Sequence, residues 1–329
     1  MKNKKKNILI VGGSGFIGKH LCCKLSKKNK IYILDLKKND NSKNQFKVDI
    51  RNKIKKIKGL NKIDLIINLA AIHKEPGHKN YEYFETNIKG AENICEFAES
   101  VKCQNIIFTS SIAPYGIRDK LKNEQTTPCP VTAYGSSKLA AEKIHIAWQN
   151  RDMPNRILTI VRPGIVFGKG EKANMYRLIK LIHKRFFFYM GNRNTAKASI
   201  YVKELVDQIM WVNQKQEKKE ISKNILFNAA MWPNPTIQDY VETICKVSNI
   251  SRSVPSVPYF FMLLFSYLFE IIFKLLRINN LFSPIRLSKL IRSNLIKPSF
   301  LINNKYRFKY SLKTAFHDWK KEDKETWVN

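Results

Sequence analysis

Near the N-terminus four consecutive apolar residues, Ile8-Leu9-Ile10-Val11, run directly into Gly12-Gly13-Ser14-Gly15-Phe16-Ile17-Gly18, and a helical spacing of apolar residues continues through Leu21 and Leu25. Strand, glycine turn and helix in that order restrict the chain to α/β architectures whose ligands sit at the carboxyl ends of the strands. Gly12 suits the tight turn, Gly15 lets backbone approach a pyrophosphate, Gly18 allows close helix packing, and the helix N-terminus receives the anion. A second apolar run, Ile31-Tyr32-Ile33-Leu34, ends in Asp35. A carboxylate there bonds the adenosine ribose hydroxyls and repels a 2′-phosphate, which selects NAD over NADP.

Further apolar runs predict strands near 7–12, 31–35, 45–48, 64–69, 104–109 and 157–162, with helices between them. That alternation is the pattern of an α/β protein with a Rossmann-type doubly wound parallel sheet. Asp64-Leu65-Ile66-Ile67 and Asn105-Ile106-Ile107-Phe108 have the continuous apolar character of strands covered on both faces. After about residue 168 the pattern loosens. The expected division is an NAD-binding Rossmann domain over 1–168, with further sheet segments from about 195–230, and a smaller C-terminal substrate-binding lobe over 169–329.

Two later segments carry chemistry. Tyr134 and Lys138 stand four residues apart in a helix expected to start near Thr132, after the breaks at Pro128 and Pro130. Side chains at that spacing share a helix face. An ammonium beside a phenol stabilises phenolate and lowers its pKa from about 10, as a base that deprotonates an alcohol requires. Taken alone, Tyr-x-x-x-Lys is a weak pattern that any exposed helix face would match; the other segments give it meaning. The strand pattern Ile106-Ile107-Phe108-Thr109-Ser110-Ser111 ends in hydroxyls, and Ser111 falls where a strand end opens into a ligand crevice. Its hydroxyl would bond the same substrate oxygen that Tyr134 deprotonates. Thr109 and Ser110 would instead bond local backbone at the strand end.

In this order the residues resemble the extended short-chain dehydrogenase/reductases of the nucleotide-sugar epimerase/dehydratase type. The matching pieces are Gly12 to Gly18, Asp35, Asp49-Ile50-Arg51, Asn68-Leu69-Ala70-Ala71, Asn87 with Gly90, Ser110-Ser111 with Tyr115-Gly116, Tyr134 with Lys138, and Arg162-Pro163-Gly164-Ile165-Val166-Phe167-Gly168. The resemblance implies that Gly12, Gly15, Phe16, Ile17, Gly18, Asp35 and Pro163 contact the cofactor, NAD. It places Asp49 and Ile50 beside the adenine, Leu69, Ala70 and Ala71 along the cleft, and Asn87 at the cofactor or a catalytic water network. Ser111, Tyr134 and Lys138 fill the catalytic positions, with Lys138 also anchoring the nicotinamide ribose. Lys197 matches a family arginine that grips the diphosphate, and keeps its charge without the fork. Asn174 is read as a substrate contact or a local helix cap, and Arg286 as a second phosphate ligand.

Departures from the family narrow the reaction. Dehydratases carry an Asp-Glu pair directly after the catalytic hydroxyl residue, where this chain has Ile112 and Ala113, so dehydration is disfavoured. Epimerases usually place an asparagine three residues after the matching arginine; here Ile165 leaves the sugar open. The usual histidine before Leu-Ala-Ala is Asn68. The expected activity is NAD-dependent epimerisation of a nucleotide-sugar, at C4 through a transient 4-keto sugar, in the synthesis of surface polysaccharide or glycoconjugate precursors. The alternatives are an NAD(P)H-dependent 4-keto-sugar reductase, a sterol or lipid-alcohol dehydrogenase, and a non-catalytic dinucleotide-binding protein.

The charge balance is unusual, with 59 Lys+Arg against 26 Asp+Glu for a formal net charge of +33. Nucleic acid is nonetheless not expected as a partner. The lysine runs at 2–6, 53–58 and 215–219 read as solvated surface without interleaved stacking aromatics. Six cysteines without paired spacing and scattered histidines give no zinc motif, and suit a reducing cytosol. The lysine cluster at the N-terminus leads straight into the first strand without a signal-peptide apolar stretch, so the expected location is cytoplasmic.

One segment stands apart. Residues 259–276 are almost wholly apolar, with Ser266, Glu270 and Lys274 four apart on one narrow stripe. The run is short for a membrane span, and Glu270 makes spanning costly. Three roles remain: a helix packed on the C-terminal lobe, a helix lying in the interface at the inner face of the membrane, and a homodimer surface. Arg277, Arg286, Lys289 and Arg292 follow closely and would suit anionic headgroups.

Overall fold

The computed structural model describes residues 5–37, 43–75, 77–117, 119–264, 267 and 292–328. Arg286 and, apart from Tyr267, the part of the apolar segment beyond residue 264 lie outside the described residues. The chain forms strands β1 (Asn7–Val11), β2 (Lys30–Asp35), β3 (Gln45–Lys47), β4 (Leu65–Asn68), β5 (Asn105–Thr109), β6 (Ile157–Pro163), β7 (Ile165–Phe167), β8 (Tyr189–Met190), β9 (Ser199–Tyr201), β10 (Asn224–Ala229) and β11 (Ser256–Val257). The helices include α1 (Phe16–Leu25), α2 (Asn80–Phe84), α3 (Gly90–Ser100), α4 (Ala133–Asn150), α5 (Asn174–His183), α6 (Val202–Glu217) and α7 (Ile237–Ser248), with Ser299–Asn303 and Leu312–Glu322 near the C-terminus.

Seven strands make one parallel sheet in the order β10-β6-β5-β4-β1-β2-β3. The six strands expected from apolar runs are all present, each within two residues of its expected ends. The reason the runs are continuous is visible in β1, where successive side chains face opposite sides of the sheet. Leu9 and Val11 join a core with Ile66, Ile94, Phe97, Phe108 and Trp148 under α3 and α4. Ile8 and Ile10 join a second core with Leu21, Ile67, Leu205, Ile209 and Phe227 under α1 and α6. Both faces are covered, which favours apolar residues on both sides of a central strand. A third core around Phe167, Ile179, Tyr201, Tyr240, Phe316 and Trp319 lies between the C-terminal helices.

β1 sits between β4 and β2, so the chain builds outward in one direction through β3 and then restarts on the other side with β4. That reversal opens a crevice at the carboxyl ends of β1 and β4, the place where open parallel sheets bind ligands. Among the described residues no helix is long and apolar enough to cross a membrane.

Candidate active site

The glycine turn is built as its residue types require. Gly12 adopts φ +79°, and a Cβ there would stand 3.0 Å from the Ala70 nitrogen. A Cβ on Gly18 would come within 2.6 Å of the Gly12 and Gly13 carbonyl oxygens, so α1 could not close on the turn. Gly15 is the N-cap of α1 and no side chain caps that end, which leaves N–H groups directed into the crevice. The Asp35 carboxylate accepts hydrogen bonds from the Ser14 N–H (3.0 Å) and the Lys37 N–H (3.2 Å). This cradle, with an acid at the end of β2, fits NAD. Phe16 and Ile17 open α1 directly above the turn.

Other residues along the cleft are engaged by protein through side chain or backbone. Asn68 accepts from the Ala70 N–H (3.2 Å), and Leu69 N–H donates to Val11 (2.9 Å), which fixes Leu69, Ala70 and Ala71 along the carboxyl edge. Asp49 is held by both Nε and Nη2 of Arg51, whose hydrogen bonds keep its carboxyl below the usual range. Ile50 is buried against Gly90, where a Cβ would meet its Cδ1 at 2.4 Å. The Pro163 carbonyl accepts from the Ile112 N–H (3.2 Å), joining the ends of β6 and β5. Asn87 lies in a π-helical turn, Glu85–Lys89, a widened turn of the kind that often re-aims functional side chains. Its amide oxygen accepts from Ile72 N–H (3.1 Å), and its amide nitrogen donates to the Ile72 carbonyl (3.3 Å) and to Ser137 Oγ (2.9 Å). Asn87 therefore clamps the loop after β4 onto α4, one residue before Lys138.

Thr132 caps α4, its hydroxyl accepting from the Gly135 N–H (3.1 Å). This puts Tyr134 in the first turn, half-buried, with its ring 6.2 Å from that of the buried Tyr83. Burial raises the phenol above its ordinary pKa, and a hydrogen bond with the Ser111 side chain pulls it back down. Ser111 is half-buried, and its Oγ also accepts from the Ala113 N–H (3.1 Å). The phenol and hydroxyl thus converge at the end of β5.

Lys138 corrects one expectation. Its ammonium does not turn to Tyr134; it donates to the Thr109 carbonyl (2.6 Å) and covers the Phe108 ring at 4.3 Å. The buried ammonium is pushed down to about 7 by desolvation, with Glu142 opposing the shift. In this arrangement Ser111, and not Lys138, lowers the Tyr134 pKa. A long flexible stem explains the difference: sharing a helix face does not fix where four methylenes place the charge.

Two features escaped the sequence reading. Ser110 does not bond local backbone; its hydroxyl donates to Glu142 (2.5 Å), which Arg162 grips with Nε at 2.8 Å and Nη2 at 2.5 Å. Thr109 Oγ1, the other hydroxyl expected to bond local backbone, is buried with no hydrogen-bond partner. His145, fully buried on α4, stacks on Phe108 at 4.2 Å and faces Asn68 Nδ2 at 3.4 Å. Glu142 lies four residues beyond Lys138 and His145 seven, so the helical period was the available signal.

Of the substrate candidates, Asn174 is exposed at the start of α5 and does not cap it. Glu171 performs that function, accepting from the Ala173 N–H (2.5 Å) and the Tyr176 N–H (2.8 Å), so the cap reading of Asn174 is overturned. Lys197 donates to the Arg292 carbonyl (2.7 Å), and burial pushes its ammonium down to about 8. Arg286 lies outside the described residues.

Residues 8–229 match the model of the NAD dependent epimerase/dehydratase family. The chain is 28% identical over 292 residues to N-acetyl-alpha-D-glucosaminyl-diphospho-ditrans,octacis-undecaprenol 4-epimerase of Escherichia coli O157:H7, covering 86% of this chain and 85% of that protein. In fold it is similar to UDP-N-acetylglucosamine 4-epimerase from Bacillus cereus, with a TM-score of 0.73 at 18% identity over 97% of each chain. It is likewise similar to UDP-glucuronic acid 4-epimerase from Bacillus cereus in complex with NAD, with a TM-score of 0.72 at 19% identity over 98% of this chain and 99% of that one. A match over more than half of the chain, on a Rossmann sheet with a glycine cradle closed by Asp35, establishes that the chain belongs to the NAD dependent epimerase/dehydratase family.

Proposed function

We propose that this chain inverts the C4 hydroxyl of a sugar carried on a diphosphate, with NAD retained through the cycle. The observation that carries this reading is the convergence of the Tyr134 phenol and the Ser111 hydroxyl at the carboxyl end of β5, beside the glycine cradle. Bound NAD would supply a hydride acceptor that returns the hydride within one turnover. Tyr134 accepts the proton of the C4 hydroxyl as the carbonyl forms, and gives it back when the alcohol re-forms on the opposite face. Ser111 donates a hydrogen bond to that oxygen throughout. Lys138 provides the positive charge that favours phenolate once its ammonium leaves the Thr109 carbonyl for the bound ligands. Ile112 and Ala113, following Ser111, supply no further acid or base, which supports epimerisation over dehydration. Lys197 is proposed to face the diphosphate, in a lobe that begins at about residue 168.

A nucleotide is the carrier named for two of the related proteins, and a polyprenol for the third. The lipid carrier is the second reading for this chain. Phe260, Phe261, Leu264 and Tyr267 are exposed, and residues 265–292 carry Lys274, Arg277, Arg286, Lys289 and Arg292 against the single acid Glu270. Apolar and cationic residues together suit an anionic bilayer surface. Without lipid, the same aromatics would serve as a homodimer contact.

The test is to identify cofactor released from purified protein by mass spectrometry, then to follow C4 inversion by NMR with UDP-N-acetylglucosamine and with its polyprenyl-diphosphate counterpart. Inversion without added cofactor supports the proposal. Net consumption of added reduced cofactor would assign a 4-keto-sugar reductase instead.

A further inference from the structure

Glu142 is 1% exposed and Arg162 is 3% exposed, so their two-pronged ion pair is buried between α4 and β6. Such a pair is weak evidence for stability, because desolvation offsets much of the attraction. Its placement suggests another role. Glu142 lies one helical turn beyond Lys138, and its Oε1 also accepts from Ser110, the neighbour of Ser111. One carboxylate therefore ties the helix bearing Tyr134 and Lys138 to the ends of the strands bearing Ser111 and Arg162. The anchoring continues outward: the Arg162 guanidinium lies 4.5 Å over the Tyr115 ring, whose hydroxyl donates to Asn228 on β10 (2.9 Å).

We propose that Glu142 is a positioning residue for Lys138: clamped by Arg162 and Ser110, it fixes the catalytic turn of α4 and places a carboxylate one helical turn beyond Lys138. The proposal rests on the reading of Lys138 as the catalytic cation. The groups around that ammonium are consistent with it. From α4 itself come Glu142 and His145, which burial keeps neutral. β5 contributes the Thr109 carbonyl and the Phe108 face, and β6 contributes Arg162 behind Glu142. From the loop after β4 comes His73, which burial and Lys138 both push towards its neutral form. Glu142 is the carboxylate that raises the Lys138 pKa.

The test measures NADH affinity of the full chain by cofactor fluorescence across pH, a probe independent of which sugar the enzyme takes. In the wild type, binding should weaken as Lys138 loses its proton. Glu142→Gln should move that midpoint down by about one pH unit, a tenfold change in proton affinity, because Arg162 then faces Lys138 without its counter-charge. The double variant Glu142→Gln with Arg162→Gln should bring the midpoint most of the way back, which a merely structural lesion would not do. An unmoved midpoint in Glu142→Gln, a double variant displaced as far as the single one, or no pH dependence in the wild type overturns the proposal. Should Glu142→Gln not fold, Glu142→Asp is read in its place. It is expected to keep the midpoint and weaken binding, and a shifted midpoint or unaltered affinity overturns the proposal. A failure here leaves C4 inversion untouched, and absence of C4 inversion leaves this titration readable.

Discussion

The carboxylate of Asp35 at the end of β2 accepts a 3.0 Å hydrogen bond from the Ser14 N–H inside the glycine turn that follows β1. The acid proposed to select the cofactor is therefore tied to the glycine turn itself. Replacing Asp35 by Ala should weaken NAD binding by roughly tenfold or more, from a charge-assisted hydrogen bond of about 1.5–3 kcal/mol, and should reduce the discrimination against NADP. Calorimetric titration with both cofactors checks this; unchanged NAD affinity would contradict it.

Gly18 has no room for a side chain, since its Cβ would lie 2.6 Å from two backbone oxygens. Backbone cannot swing aside as a flexible side chain can. Gly18→Ala should lower stability by about 1–3 kcal/mol, as overpacking does, and weaken NAD more than it changes the melting temperature would suggest, because α1 must move away from the turn. Thermal melts and NAD titration on one preparation separate the two effects.

Asn87 makes three hydrogen bonds from a buried position, to Ile72 and Ser137. Asn87→Ala leaves those partners unsatisfied and should cost about 1–3 kcal/mol. Because Ser137 precedes Lys138, turnover should fall further than the stability loss explains at a temperature where the variant remains folded. Steady-state rates beside a denaturation curve test this, and a variant with wild-type turnover would refute the clamp.

His145 should contribute an acid slope to the stability curve. Burial lowers its pKa from an ordinary 6.5 to about 4, so between those values the unfolded chain binds the proton and the folded chain does not. Stability should rise with pH across that window, be fully present above about 6.5, and be lost as pH falls towards 4, by no more than about 3 kcal/mol. His183 and His73, also lowered by burial, add smaller parts of the slope. His145→Gln should flatten the dependence of melting temperature on pH from 4 to 6.5; an undiminished slope would assign it elsewhere.

How much of this was legible in the sequence depended on whether a feature was local. The sheet was readable because strands covered on both faces are apolar without interruption, as β4 and β5 are. The start of α4 was readable because Thr132 and the prolines before it act within a few residues. The π-turn that aims Asn87 left no pattern in the run Glu85-Thr86-Asn87-Ile88-Lys89. The Glu142–Arg162 pair joins residues 20 apart in the chain, which periodicity within one helix cannot connect. Asn174 looked like a cap by residue type, yet Glu171, three residues earlier, reaches the same N–H groups with a longer side chain. Lys138 shared a face with Tyr134 as its spacing required, but a buried ammonium takes the strongest acceptor within reach, here the Thr109 carbonyl.

The central claim is that the Tyr134 phenol moves the proton of the reacting alcohol with Ser111 beside it. The most direct measurement is sugar-driven reduction of the bound nicotinamide, read by its absorbance, in the wild type and in Tyr134→Phe with NAD occupancy confirmed in both. The account predicts that Tyr134→Phe retains NAD and loses the absorbance change by about a hundredfold or more in rate, the size of a general-base contribution. A variant that binds NAD and reduces it at the wild-type rate would contradict the account.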